Sequence, residues 1–133
     1  MKTAELRVNN YYQSVKFNCP VKCEISDLVE IYHRADGAEI GQDDIATLFS
    51  PIPLTEDWLI KFGCIRQRIN STKKNYWNKQ MDFSVDVEYT FVGEELLYYY
   101  LVHNQDRRKN IMHVHQLQNL YFSLTGEELT LKP

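Results

Sequence analysis

The chain has 133 residues, 44% of them hydrophobic and 13% aromatic, and a formal net charge of −3. That composition can build a core, and it excludes intrinsic disorder, which needs low hydrophobicity and high net charge. It carries no global cationic excess for nucleic acid, no apolar run near the roughly 18 residues of a membrane span, and no apolar signal core in Met1–Arg7; one domain over 1–133, in the cytoplasm, is expected.

Residues 1–50 read as a small β-rich lobe. Tyr11, Val15, Phe17, Val21, Cys23, Ile25, Val29, Ile31 and Ile40 recur at short, roughly alternating intervals. Asn9-Asn10, Asn18, Pro20 and Asp36-Gly37 punctuate them, and Asp36-Gly37 suits a hairpin turn because both residues tolerate positive φ. Cys19 and Cys23 have three residues between them, one more than a redox pair uses, and no further ligands nearby for a zinc knuckle. With Cys64 they read as reduced structural thiols.

Pro51 and Pro53 break any regular element. Thr55 follows as an N-cap, with Glu56 and Asp57 in the first turn. Leu54, Trp58, Leu59 and Phe62 form a helical stripe, and Gly63 ends a short helix. Residues 64–79 should hold polar strands or a long hairpin around 70–75. Met81, Phe83, Val85, Val87, Tyr89 and Phe91 alternate with polar residues, the pattern of a strand with one face in water. Val92-Gly93-Glu94-Glu95 makes a turn, and Leu96 to Val102, apolar on both faces, returns as a central strand. In it, Tyr98-Tyr99-Tyr100 suits either packing or a binding surface. Asn104 to Asn110 reads as an exposed polar loop.

A last helix is expected over about 113–124, with Val114, Leu117, Leu120, Tyr121 and Leu124 on one face and Thr125-Gly126 as its cap. The predicted fold is therefore α+β. It has a small β-rich N-terminal lobe, then an antiparallel sheet over roughly 64–103, packed by a short central helix and a C-terminal helix.

Charge is unevenly distributed. Glu24 to Asp57 holds nine acids and one base, Arg34, a local net of −8; Lys61 to Lys79 holds six bases and no acid, a local net of +6. The basic stretch includes Arg66, Arg68, Lys73, Lys74 and Lys79, with Tyr76 and Trp77 embedded; Arg107, Arg108 and Lys109 form a second cationic cluster. Cations with interleaved rings can neutralise phosphates and stack on unpaired bases. The same residues could dock a protein, or the lysines could simply guard a solvated edge strand. The acidic segment could mimic nucleic-acid phosphates or be an ordinary solvated surface.

Catalytic motifs are missing from the sequence. It contains no Gly-rich phosphate loop, no Gly-x-Ser-x-Gly elbow and no His-Glu-x-x-His. His113 and His115, two apart, should point to different sides of a helix. No enzyme activity, metal or small-molecule cofactor is expected.

Two segments carry a resemblance: Pro51-Ile52-Pro53-Leu54-Thr55-Glu56-Asp57-Trp58-Leu59-Ile60-Lys61-Phe62-Gly63, and Val114-His115-Gln116-Leu117-Gln118-Asn119-Leu120-Tyr121-Phe122-Ser123-Leu124-Thr125-Gly126-Glu127-Glu128-Leu129. Together they resemble a family of small, mostly uncharacterised proteins of phages, prophages and mobile elements. The resemblance implies a gene carried by a phage or mobile element; that setting, with the +6 aromatic-bearing stretch, leads to the expectation of a non-enzymatic phage protein of the host bacterial cytoplasm that inhibits a host defence system. An anti-CRISPR inhibitor is one such protein. Its partner would be an RNA-guided CRISPR effector nuclease with its guide RNA, blocked sterically through 61–79 and Arg107-Arg108-Lys109. Two alternatives stand beside it: a sponge for a nucleotide second messenger, and a structural or regulatory phage protein with no defence role. Alanine at Arg68, Lys73 and Lys74 should then weaken a nucleoprotein complex and leave folding nearly intact.

Overall fold

Two antiparallel sheets and three helices organise the described residues of the computed structural model, which are 6–34, 45–46, 48–70, 72–78, 83–104 and 107–132. The fold is α+β, as the sequence predicts. The chain falls into two compact units. One comprises Met1–Pro53 with His113–Leu120, the other Leu54–Met112 with Tyr121–Pro133.

In the first unit, β1 (Tyr11–Ser14) lies between β2 (Pro20–Lys22) and β3 (Phe49–Ser50). The turns use the asparagines: Asn9 and Asn18 take φ of +75° and +51°, which asparagine tolerates better than most residues. Pro20 opens β2, a position that loses no ladder bond of consequence. Tyr12, Cys23, Ile31, Ile45 and Phe49 form the core, with Tyr12 stacked on Phe49 at 5.3 Å.

Residues 25–34, expected within the β-rich stretch, are helix α1 (Ile25–Arg34). The reason is local. Glu24 is the cap: its carbonyl accepts from the N–H of Asp27 and Leu28, and its own N–H donates to the Asp27 carboxylate at 2.8 Å, half of a capping box. Leu28 and Ile31 then turn inward. Ile25, Val29 and Tyr32, spaced four and three apart, lie together on a face that stays exposed. The hairpin expected at Asp36-Gly37 and the apolar position Ile40 lie outside the described residues.

The second unit is built on the sheet β4 (Ile65–Asn70), β5 (Lys73–Trp77), β6 (Ser84–Val92), β7 (Glu95–Asn104) and β8 (Arg107–Asn110), neighbours in that order. β7 is an interior strand, between β6 and β8, as its sequence predicts. Gly93, at φ +65°, begins the two-residue loop between β6 and β7, where a hairpin of this length favours glycine. The segment expected as a loop after Asn104 instead returns as β8, pairing Asn104 with Arg107 and Leu101 with Asn110.

Helix α2 (Glu56–Lys61) matches its sequence signals. The Thr55 hydroxyl accepts from the Trp58 N–H, and Leu54, Trp58, Leu59 and Phe62 are all buried. Gly63, at φ +86°, donates to the Ile60 carbonyl while Cys64 donates to Leu59, the paired bonds of a Schellman ending. Helix α3 (Val114–Thr125) gives its first part to one unit and its last turn to the other. Its buried positions are Val114, His115, Leu117, Gln118 and Tyr121, whereas Leu120 is half-buried and Leu124 is 40% exposed.

Candidate functional site

Strands β4 and β5 form the hairpin expected over 64–79. Its register pairs Ile65 with Trp77, Arg66 with Tyr76, Gln67 with Asn75, Arg68 with Lys74 and Asn70 with Lys73, with a bulge between Arg68 and Asn70. β5 also pairs with β6, whereas β4 is the edge of the sheet. Alternation along β5 turns Tyr76 to the buried side with Val85 and Val87. It leaves Trp77, Asn75 and Lys73 on the other side.

The cationic residues do not present one basic surface. The Lys73 ammonium lies 3.2 Å from Asp86 and 3.5 Å from Glu88 across the β5–β6 ladder. Asp86, expected in water, is 4% exposed; its second oxygen accepts from the Asn75 amide at 2.7 Å. Lys74 reaches Glu56 at 3.4 Å. The Tyr76 ring, a candidate either for stacking on a base or for the core, is 1% exposed, and its hydroxyl donates to the same Glu56 oxygen at 2.8 Å. A buried ring cannot stack on a base. Lys73→Ala should cost more than an exposed charge would, because it takes one partner from a nearly buried carboxylate that keeps Asn75.

What the hairpin does expose is mixed. Ile65 is 53%, Ile69 52% and Trp77 38% exposed, and Arg66 and Gln67 are exposed between them. Ile65 and Trp77 are directly opposed, so their side chains can form one apolar shelf. Arg107, Arg108 and Lys109 lie on β8, the opposite edge, four strand steps or roughly 19 Å away. The two cationic segments therefore do not join. Lys79 lies outside the described residues, as do the side chains of Arg68, Arg107, Arg108, Lys109, Tyr98 and Tyr99.

The acidic stretch is likewise divided. Glu24, Asp27 and Glu30 line a groove of about 480 Å³ in the first unit, opposite Val21, Leu48 and Phe49 and beside Lys16 and Lys22. Glu56 and Asp57 belong to the second unit, where with Thr55 and Tyr100 they line a recess of about 320 Å³. Asp36, Glu39, Asp43 and Asp44 lie outside the described residues.

The cysteines are free thiols, Cys19 exposed and the others buried. Burial, with Asp27 and Glu24 adding to it, pushes the Cys23 thiol up to about 12; burial alone pushes Cys64 to about 11. Both are therefore neutral at physiological pH and poor nucleophiles. Among the described residues no group of three His, Cys, Asp or Glu could hold a metal ion.

The histidines differ from expectation. His113 and His115 do not diverge; their rings stack at 5.7 Å, and His115 also meets Tyr12 at 5.3 Å. His113 sits before the helix rather than in it. Its carbonyl accepts from Leu117, and its N–H donates to the Gln116 side chain at 3.1 Å. Helical angles therefore do not govern the pair.

Periodicity also missed a polar clasp in the first unit. The Arg7 guanidinium donates to Asn119 Oδ1 and Asn10 Oδ1, each at 2.9 Å, and to the Gln118 carbonyl at 3.4 Å. Asn10 donates to Asn119 at 2.6 Å. The Gln118 amide accepts from the Tyr11 N–H at 2.8 Å and donates to the Asn9 carbonyl at 3.3 Å. Asn10 and Gln118 are fully buried. Two adjacent amides, Gln118-Asn119, between Leu117 and Leu120 on the helix were the available signal.

No family model, no curated protein and no solved structure matches this chain.

Proposed function

We propose that this chain is a non-enzymatic binding protein that docks a protein partner along the β4 edge. In keeping with the resemblance of its two motifs, we further propose that it is a phage or mobile-element protein that obstructs a host defence nuclease of the RNA-guided type. The observation that carries the docking surface is the exposed pair of Ile65 and Trp77 on the edge hairpin, with exposed Arg66 turned to the other face of the strand. An exposed apolar shelf with an aromatic anchor is the composition of protein contacts.

Direct capture of nucleic acid has less support. Lys73 and Lys74 are held by carboxylates, and Tyr76 is buried. The inhibitor would then act by occupying the nuclease's own surface and hindering guide or target entry. A nucleotide sponge has less support again, because, among the described residues, the two cavities carry Glu24, Asp27 and Glu30 beside Lys16 and Lys22 in one and Glu56 and Asp57 in the other, and carboxylates repel phosphate.

The test is a pull-down of tagged protein from lysate of a defended host, with and without RNase, using the wild type and Ile65→Asp. Capture of a defence nuclease in both arms, lost in I65D, is the expected result. Capture only in the arm without RNase would move the contact onto RNA. No capture in either arm would remove the defence reading.

A further inference from the structure

Within that reading, the β4 edge itself specifies what kind of segment it accepts. A sheet edge presents a row of backbone N–H and C=O groups that can be completed by another strand. Among the described residues β4 pairs with β5 on one side only, and Ile65, Arg66, Gln67 and Ile69 are all exposed. The opposite edge is different. β8 reads Arg-Arg-Lys-Asn and carries three successive cations and no apolar residue, the usual protection of an edge against added strands. β4 reads Ile-Arg-Gln-Arg-Ile-Asn and keeps two exposed isoleucines.

In the registers centred on the middle of β4, a second copy of the chain meets like charge. In a two-fold antiparallel pair, opposed residues must share a face, so the axis passes through a residue position. Centred on Gln67, the pairing sets Arg66 against Arg68. Centred on Arg66 or Arg68, it sets an arginine against itself. Like charges directly opposed destabilise a ladder.

Charge then selects the partner. Three acids that reach the hairpin among the described residues are already engaged: Asp86 and Glu88 hold Lys73, and Glu56 holds Lys74. β4 contains no acid of its own. We propose that β4 accepts an extended segment of a partner protein bearing carboxylates at alternate positions, added to the sheet as a further strand. The carboxylates would lie across from positions 66 and 68, and an intervening apolar residue would rest on the Ile65–Trp77 shelf. The bulge after Arg68 confines regular pairing to about four to six residues of the incoming strand.

The probe is a fluorescent octapeptide alternating Val and Glu, read by anisotropy against the full chain. Controls are the Val-Lys octapeptide and the Val-Glu peptide N-methylated at every valine. The acidic peptide should bind with salt sensitivity, the Lys peptide should not, and N-methylation should weaken binding roughly tenfold or more through lost main-chain bonds. Arg66→Glu, with its fold checked by circular dichroism, should invert the preference toward the Lys peptide. Undiminished binding of the N-methylated peptide, an unchanged preference in R66E, or no binding of the acidic peptide would each overturn the proposal. A dimer of the wild-type chain that I65D breaks would overturn it in favour of self-pairing. If I65D loses the nuclease in the pull-down while the octapeptide fails, the docking surface stands and strand addition falls.

Discussion

Tyr76 and Glu56 are joined by a hydrogen bond of 2.8 Å from the phenol to a carboxylate that also holds Lys74. This bond ties the middle of β5 to the first turn of α2, and it removes an aromatic ring from the surface. Tyr76→Phe keeps the packing and loses only the bond, so unfolding free energy should fall by about 1 kcal/mol. Tyr76→Ala should cost about 3–5 kcal/mol, the usual range for truncating a buried ring. Urea denaturation distinguishes them. In neither variant, while folded, should affinity for single-stranded RNA change; a loss in Y76F would return this ring to the functional surface.

Lys73 is the second place where charge serves the fold. Asp86 is nearly inaccessible, and its two oxygens are met by Lys73 and Asn75. Lys73→Ala should therefore destabilise the protein by about 1–3 kcal/mol, the cost of leaving a buried acceptor short of a partner. The contact to Glu88 adds little, because that carboxylate is 34% exposed. Lys73→Ala with Asp86→Ala should be less destabilising than the two single changes summed, which a double-mutant cycle reads directly. Strict additivity would mean that the pair is not coupled.

The elements were legible wherever one physical signal dominated. The Thr55 cap, the 54–62 stripe and Gly63 agree with one another, and α2 forms as read. Alternation found β6, and continuous apolarity found the interior strand β7. α1 was missed because short spacings of Ile25, Val29 and Ile31 satisfy both periods, and the Glu24–Asp27 cap decides between them. The site was much less legible. A count of cations along 61–79 cannot show that acids from β6 and α2 meet them, since those acids are distant in sequence. Nor can apolar periodicity find Gln118, which is buried because strand backbone needs its amide.

Arg7 should behave as a fold-stabilising residue rather than a surface charge. Its guanidinium serves Asn10, Asn119 and the Gln118 carbonyl together. Arg7→Ala should cost about 1.5–3 kcal/mol, since bonds to a charged donor are lost and buried amides remain. Arg7→Lys should rescue little, because a point charge cannot reproduce the planar fork. Full recovery of the urea midpoint in R7K would show that charge alone matters there.

Buried thiols set an alkaline limit on this fold. Cys23 and Cys64 lie at about 12 and about 11 in the folded chain, against an ordinary value of 9.0. Below that ordinary value both states are protonated, and the thiols make stability independent of pH. Above it the unfolded chain loses protons that the folded chain keeps, so stability falls as pH rises and stops falling once the folded thiols ionise. Their contribution should therefore decline from about 9 to about 11–12. Tyrosines and lysines titrate there too, so the comparison is with Cys23→Ala and Cys64→Ala. Each variant should be less stable at neutral pH, from the cavity left behind, yet show a shallower decline above 9. Iodoacetamide gives an independent check. In the native protein it should label Cys19, which is exposed, and reach Cys23 and Cys64 only after denaturation. Rapid native labelling of either buried thiol, or an unchanged alkaline slope in both variants, would contradict this account.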